Sequence, residues 1–418
     1  MSEPRIFELT RLGWGVALPV MFLATIGLAC IHAKDRNAQG QQTAQVADSE
    51  HESEGGWVAR LYNDLGPLTS KQLVFLGTGV ALMLLAYRTP YQKIGRYAYP
   101  LYVLVIGMLL LLVVGHVLDR FGLPRLPFVP ERRGTYRWLG MGSLQIQPSE
   151  FMKVALIMCL ARYLRFRSSY RTWRGLMAPF LLTVLPMGLI LFQPDLGTLL
   201  MLLPVLFAML FVAGARLRHL AIVVLLGCAT MPVFYLYGMR EYQQARIQVL
   251  FKQNTTDEAW HMDEGYQLRQ SKIALGTGGL MGQGYGEGMF VQYDGLLPEG
   301  QNDFIYAIIG HQWGLVGGIL VILAYGAIVF FGLEVVTVTN DPFGRLLAVG
   351  VLVMIVLQAL LNICMTNGLA PITGMTLPFV SAGGSSLWAN FLALGLLINV
   401  ARRRPMLIAH PPFEYNND

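Results

Sequence analysis

Charge is what this chain lacks. Only 13% of its 418 residues are Asp, Glu, Lys or Arg, while 54% are hydrophobic. Soluble globular domains carry about a quarter charged residues, so most of this chain lies in lipid. The formal net charge is +6, with lysines and arginines clustered in short loops. That pattern excludes a nucleic-acid protein and suits an anionic lipid surface and an anionic substrate head. Cysteine is scarce too. Cys30, Cys159, Cys228 and Cys364 sit in apolar runs without CxxC spacing, which reads as small buried hydrophobes rather than a metal or disulfide framework. Residues 27–30, GLAC, lack the aliphatic residue of a lipoprotein cleavage box. The seven histidines show no metal-ligand spacing. There is no HExxH, no Walker loop, no nucleophile elbow and no internal repeat.

What the chain has is long apolar runs. Ten of them approach the ~20 residues that cross a bilayer: near 12–32, 72–88, 97–117, 147–164, 177–193, 196–214, 219–237, 304–332, 346–366 and 385–401. They are continuous rather than alternating, which excludes a membrane barrel. The expected fold is an all-α polytopic membrane protein with about ten transmembrane helices. Arg88, Lys93 and Arg96, the Arg162–Arg174 group, Arg216 and Arg218, and Arg402 to Arg404 all fall on one side if both termini are cytoplasmic. Arg120, Arg125, Arg132, Arg133 and Arg137 then lie outside and read as substrate-facing.

Three polar segments lie outside in that orientation. Residues 33–71, with the acidic run DSEHESE, read as a flexible extracytoplasmic loop, poor in large apolar residues. Residues 118–146 are rich in Arg, Pro and Gly. Residues 238–303 form a large extracytoplasmic loop before the eighth span. Within it YQLRQSKIALGTGG has an amphipathic helical pattern, to lie on the membrane or pack on the bundle. The seven glycines of GTGGLMGQGYGEG, residues 276–288, mimic a nucleotide loop, but no strand–helix unit surrounds them. They read as a flexible loop against the bilayer.

The candidate chemistry gathers at the outer ends of the spans. In LPEGQNDFIYAIIGHQWGLVGG, residues 297–318, an acidic polar turn with Glu299 runs straight into a long apolar helix and holds Asp303 at the membrane lip. An ionisable residue kept there is a functional-site hypothesis by default. In YRWLGMGSLQIQPSEFMKVAL, Pro148 suits a first helical turn, and Glu150 and Lys153 share a face. They form either a salt bridge closing the bundle or a charged cavity wall beside Gln147. Arg137 carries a fork that suits phosphate, and Arg246 is a second such cation. Asp195 in FQPDLGT either caps the next helix or lines the same cavity. In NGLAPITGMTLPFVSAGGSS, residues 367–386, prolines and glycines break an apolar region. Ser381, Ser385 and Ser386 there either offer hydroxyls to a sugar or phosphate or cap the last helix.

Four stretches together resemble one family, the SEDS proteins of bacterial cell-wall synthesis (RodA, FtsW and SpoVE). They are RWLGMGSLQIQPSEFMK, QPDLGT, the run from GYQLRQSKIALGTGG through LPEGQNDFIYAIIG, and GMTLPFVSAGGSS, in family order over residues 136–390. QSKIALGTGG is the more RodA-like and TLPFVSAGGSS the more FtsW-like, with the balance toward RodA. The resemblance implies an inverting peptidoglycan glycosyltransferase that polymerises lipid II outside the cytoplasmic membrane, with Asp303 as its catalytic residue. It also implies a class B penicillin-binding protein, a transpeptidase, as partner. No cofactor is demanded, and a divalent cation is an open alternative. The chain departs from the family pattern at Gln301 and Asn302, and at His311 and Gln312 where an acidic pair is usual.

For such a reaction a base must take a sugar hydroxyl proton and positive charge must meet a departing diphosphate. Asp303 is the candidate base. Arg137, Lys153 and Arg246 are the candidate diphosphate ligands. A lipid II flippase and a non-catalytic scaffold are the rival readings. A flippase needs polar residues through the whole depth of the bundle, and a scaffold does not need Asp303.

Overall fold

The apolar runs become helices that begin within a few residues of their expected starts. The computed structural model describes residues 11–46, 65–124, 126–131, 135–141, 144–166, 171–239, 241–253, 265–293 and 295–403. In chain order the long helices are α1 (Arg11–Val46), α2 (Pro67–Arg88), α4 (Ala98–Arg120), α5 (Pro148–Arg165), α6 (Trp173–Phe192), α7 (Leu196–Ala213), α8 (Leu217–Val233), α12 (Ile305–Val338), α13 (Pro342–Thr366) and α14 (Gly384–Arg402). Short α3 (Tyr91–Arg96) and a hairpin of β1 (Leu139–Met141) and β2 (Leu144–Ile146) lie between them. The large loop adds α9 (Glu241–Phe251), α10 (Tyr266–Gly278) and α11 (Met289–Gln292). The protein is an all-α polytopic membrane protein.

Among the described residues nine helices are long and apolar enough to cross a membrane. The tenth is α5. It carries Glu150, Lys153, Arg162 and Arg165 in 18 residues, so hydropathy alone passes over it. It tolerates that charge because it is surrounded by protein. It packs against α4, α6, α7, α13 and α14, and Leu156, Ile157, Cys159 and Leu160 are fully buried. Alternation of the ten helices puts the basic residues from Arg88 to Arg96, Arg162, Arg165, Arg171 and Arg174, and Arg402 at one end. The hairpin, the turn at residues 193–195 and the large loop gather at the other end. Arg125, Arg132, Arg133, Arg167 and Arg404 lie outside the described residues.

The expected flexible loop at 33–71 is shorter than its sequence suggests. Residues 33–46 continue α1, and α2 begins at Pro67. The reason is tertiary. Asp35 is buried and accepts the Thr69 amide at 2.6 Å and its hydroxyl at 2.8 Å, capping α2. Asn37 donates to the Gly286 carbonyl at 2.8 Å. Low hydrophobicity predicts mobility only where nothing else holds a segment. The acidic run at 48–54 lies outside the described residues.

The eighth span holds a larger surprise. Gly314 has φ 62° and ψ −159°, so α12 is two helices meeting at a break. A break at membrane depth frees backbone groups that lipid cannot satisfy. The glycine-rich segment repairs it. Gln283 and Gly284 amides donate to the His311 and Gln312 carbonyls at 2.9 and 3.1 Å. Leu315 and Val316 amides donate to the Gly279 and Leu280 carbonyls at 2.9 and 3.2 Å. The Gln312 side chain accepts the Gly286 amide at 3.1 Å. The segment read as a flexible loop is therefore a strap, laid backbone to backbone along the break. A Cβ on Gly314 would sit 2.4 Å from the Leu280 carbonyl oxygen, so only glycine permits the approach.

Candidate active site

Asp303 sits on a tight turn whose backbone converges on one carbonyl. The amides of Asn302, Asp303 and Phe304 all point to the Glu299 carbonyl, at 3.1, 3.0 and 3.2 Å. The Asn302 side chain donates to the Glu299 carboxylate at 2.8 Å. Phe304 is fully buried, and Asp303 is half-buried at the head of α12. Two further bonds tie this turn to the irregular segment before α14. Ala382 donates to the Gln301 carbonyl at 2.9 Å, and Asn362 of α13 donates to the Asp303 carbonyl at 2.8 Å.

Arg246 comes to the same place from α9. α8 runs through a π-helical turn at Phe234–Gly238 into α9. Val249 of α9 packs with Leu268 of α10 and Ile372. Gln253 donates to the Gly368 carbonyl at 2.7 Å. These contacts fix α9 above the bundle. A Cβ built on Gly374 would lie 3.4 Å from Asp303 Oδ2 and 3.8 Å from Arg246 Nη1. One carboxylate and one guanidinium thus face the same bare stretch of backbone.

A buried polar layer lies next to this. Lys153 pairs with Glu150 at 2.8 Å, both on the inner face of α5. The Lys153 ammonium also donates to Gln358 at 3.1 Å. Gln358 donates in turn to the Thr376 carbonyl at 3.0 Å and to the hydroxyls of Thr376 and Ser386 at 3.1 and 3.3 Å. The open alternatives for Glu150 and Lys153 merge here. They form a salt bridge, and it sits in a polar layer near the site.

The other expected ligands have local partners. Asp195 caps α7, accepting the Thr198 amide at 3.2 Å and its hydroxyl at 3.0 Å, the Ser149 hydroxyl at 2.8 Å and Gln147 at 3.1 Å. Arg137 donates Nε to the Gln193 carbonyl at 2.7 Å and Nη2 to the Pro194 carbonyl. Its fork is engaged by the turn at 193–194 rather than offered to a phosphate. The Ser385 hydroxyl accepts the Gln147 amide at 3.0 Å, and the Ser381 hydroxyl accepts the Leu377 amide at 2.8 Å. Among the described residues no three His, Cys, Asp or Glu side chains gather where a cation could bind.

Asp195 has a pH-dependent role in stability. Burial pushes its carboxyl up, but Arg137 beside it and hydrogen bonds from Ser149 and Thr198 outweigh that, holding it below the usual carboxylate range. A carboxyl depressed on folding contributes stability above its unfolded pKa of about 3.9 and loses it as pH falls through the folded value. Asp195→Ala should therefore lower thermal stability in detergent at pH 7, by about 1–2 kcal/mol for the cap. The gap to the unsubstituted protein should narrow as pH falls below about 4. A gap that does not change with pH would show that the charge on Asp195 contributes nothing.

Sequence reading passed over Gln358, Asn362 and Gly374. For the first two there was a signal, since Gln and Asn stand four apart in an apolar run and polar side chains in a span rarely lack a task. Gly374 had none, because its neighbours come from distant parts of the chain.

Comparison with known proteins agrees with the all-α membrane fold. The model of the FtsW, RodA and SpoVE family, described as cell cycle protein, matches residues 53–405. Stage V sporulation protein E of Bacillus subtilis is 34% identical over 83% of this chain and 90% of its own length. Peptidoglycan glycosyltransferase MrdB of Escherichia coli is 31% identical over 82% and 88%. Among solved structures, a chain of a peptidoglycan synthase complex that coordinates polymerisation and crosslinking superposes with TM-score 0.70 at 25% identity, over 94% of this chain and 98% of that one. Rod shape determining protein RodA of Thermus thermophilus gives TM-score 0.62 at 26% identity, over 94% and 97%.

Proposed function

The chain belongs to the FtsW, RodA and SpoVE family of cell cycle proteins, and on that footing we propose that it is a peptidoglycan glycosyltransferase, one that polymerises lipid II at the outer face of the bacterial cytoplasmic membrane. The observation that carries the mechanism is the convergence of Asp303 and Arg246 on Gly374. Asp303 takes the proton from the attacking sugar hydroxyl. The new C–O bond forms at the anomeric carbon as the bond to the lipid diphosphate breaks, and the diphosphate leaves with the electron pair. A single displacement of this kind inverts the anomeric centre. Arg246 meets the charge that develops on the diphosphate.

The remaining residues divide between site and frame. Lys153, Glu150 and Ser386 supply a polar wall, and Glu299 shapes the turn that presents Asp303. Arg137, Asp195, Gln147, Ser381 and Ser385 hold the turns around the site. Below Lys153 the inner face of α5 is apolar, from Val154 to Ala161. Polar groups that stop near the outer end favour a polymerase over a lipid II flippase.

The reading is tested by incubating purified protein with lipid II, alone and with a class B transpeptidase, the partner class we propose, and resolving the products as glycan strands on a gel. No strands under either condition would sink it. Arg137→Lys adds a second check. With its fork on two backbone carbonyls, the substitution should lower thermal stability and leave the dependence of rate on lipid II concentration unchanged. A severalfold rise in half-saturation would return Arg137 to the diphosphate.

A further inference from the structure

The face of α13 that carries Gln358 and Asn362 joins two parts of the site that the chain keeps far apart. Residues four apart share a helix face. Gln358 holds Lys153 on one side and the Thr376 carbonyl on the other. One turn later, the Asn362 amide nitrogen donates to the Asp303 carbonyl at 2.8 Å and to the Met375 carbonyl at 2.6 Å. Met375 follows Gly374, the residue that Asp303 Oδ2 and Arg246 Nη1 both face. A single side-chain amide thus sets the spacing between the head of α12 and the wall of the site.

Asn362 is fully buried, and its Oδ1 has no hydrogen-bond partner among the described residues. An orphaned buried carbonyl destabilises a fold. An apolar side chain of that size would avoid the penalty if filling space were the only task. The side chain is retained for its two donors.

We propose that Asn362 is a positioning residue for Asp303: through the two carbonyls it holds, it fixes the carboxylate's distance from the Gly374 backbone and from Arg246. The inference rests on Asp303 as the base. A misplacement of about 1 Å in a reacting group lowers rates by roughly 10²-fold, so the effect falls on turnover rather than on lipid II binding.

The test uses full-length protein in detergent with fluorescent lipid II, and rates are counted per folded, monodisperse molecule. Asn362→Asp keeps the shape but leaves at most one donor, the proton of its buried carboxyl. Asn362→Ser keeps one short donor. Asn367→Ala is the control, since Asn367 donates only to the Ile363 carbonyl at the end of the same helix. Both Asn362 variants should lower kcat by about 10²-fold with KM within about threefold, while the control keeps both. A packing role would lower the folded fraction and leave kcat per folded molecule near normal. The inference is overturned if either Asn362 variant keeps kcat within threefold of the unsubstituted protein. It is equally overturned if both fail to fold, which would make Asn362 structural. If Asp303→Asn is itself active, the base assignment has failed. If Asp303→Asn is inert and Asn362→Asp works normally, only the positioning inference has failed.

Discussion

Asp303→Asn should abolish glycan strand synthesis by the purified protein while its yield, membrane insertion and thermal stability stay near normal. Two of the bonds that place this residue are made by its backbone. Its amide reaches the Glu299 carbonyl at 3.0 Å, and its carbonyl accepts from Asn362 at 2.8 Å. Asparagine keeps both. It removes the charge and the basicity, which are what the proton transfer needs. Losing a positioned general base lowers rates by roughly 10²–10⁴-fold, which takes strand synthesis below detection on a gel. The measurement is strand formation from lipid II in a preparation free of other polymerases. Near-normal synthesis there would refute the assignment of the base.

Gly282→Ala should prevent the protein from folding to a stable state, although it adds one methyl group in a loop. The new Cβ would lie 2.1 Å from the Gln312 carbonyl oxygen and 2.5 Å from the Trp313 amide nitrogen. Both are backbone atoms of the broken helix, so neither can swing aside as a side chain could. Gly282 also has φ +86°, a conformation that disfavours alanine by roughly 1–2 kcal/mol by itself. Separating strap from helix would strand the His311 and Gln312 carbonyls and the Leu315 and Val316 amides. Each unsatisfied backbone group in lipid costs several kcal/mol, against a total stability of about 5–15 kcal/mol. Gly276→Ala is the contrast. It lies six residues earlier in α10, with nothing within 4 Å of its added Cβ. There alanine should be neutral or stabilise by up to about 1 kcal/mol. Thermal unfolding and monodisperse yield in detergent decide between them. Equal melting temperatures for the two variants would mean that the strap is dispensable.

The two predictions differ in how much of their basis the sequence revealed. The place of Asp303 at the head of a span was legible because a carboxylate leading into a long apolar run is rare and expensive, while its part in catalysis came from the family resemblance. The Gly282 effect was not legible. Seven glycines in thirteen residues read as looseness, since composition does not say what lies opposite each Cα. The local partners of Asp35 and Arg137 were hidden for a related reason. Asp35 stands in a polar stretch that composition predicts to be mobile, yet it caps a helix that begins 32 residues later. Arg137 bears a fork suited to phosphate, yet two carbonyls of the next turn take it first.

By itself the sequence determined that the protein spans a membrane through about ten helices, where each begins within a few residues, and at which end the polar turns gather. These follow from hydrophobic length, the placement of basic loops and helix-start residues, all of which act over one or two turns of chain. Tertiary structure alone decided that α5 lies inside the bundle, that the eighth span is broken and strapped, and that Arg246 rather than Arg137 faces Asp303. Those outcomes depend on which backbone groups and side chains meet across hundreds of residues. In lipid, an unpaired polar group is too costly to leave, so its eventual partner settles its role.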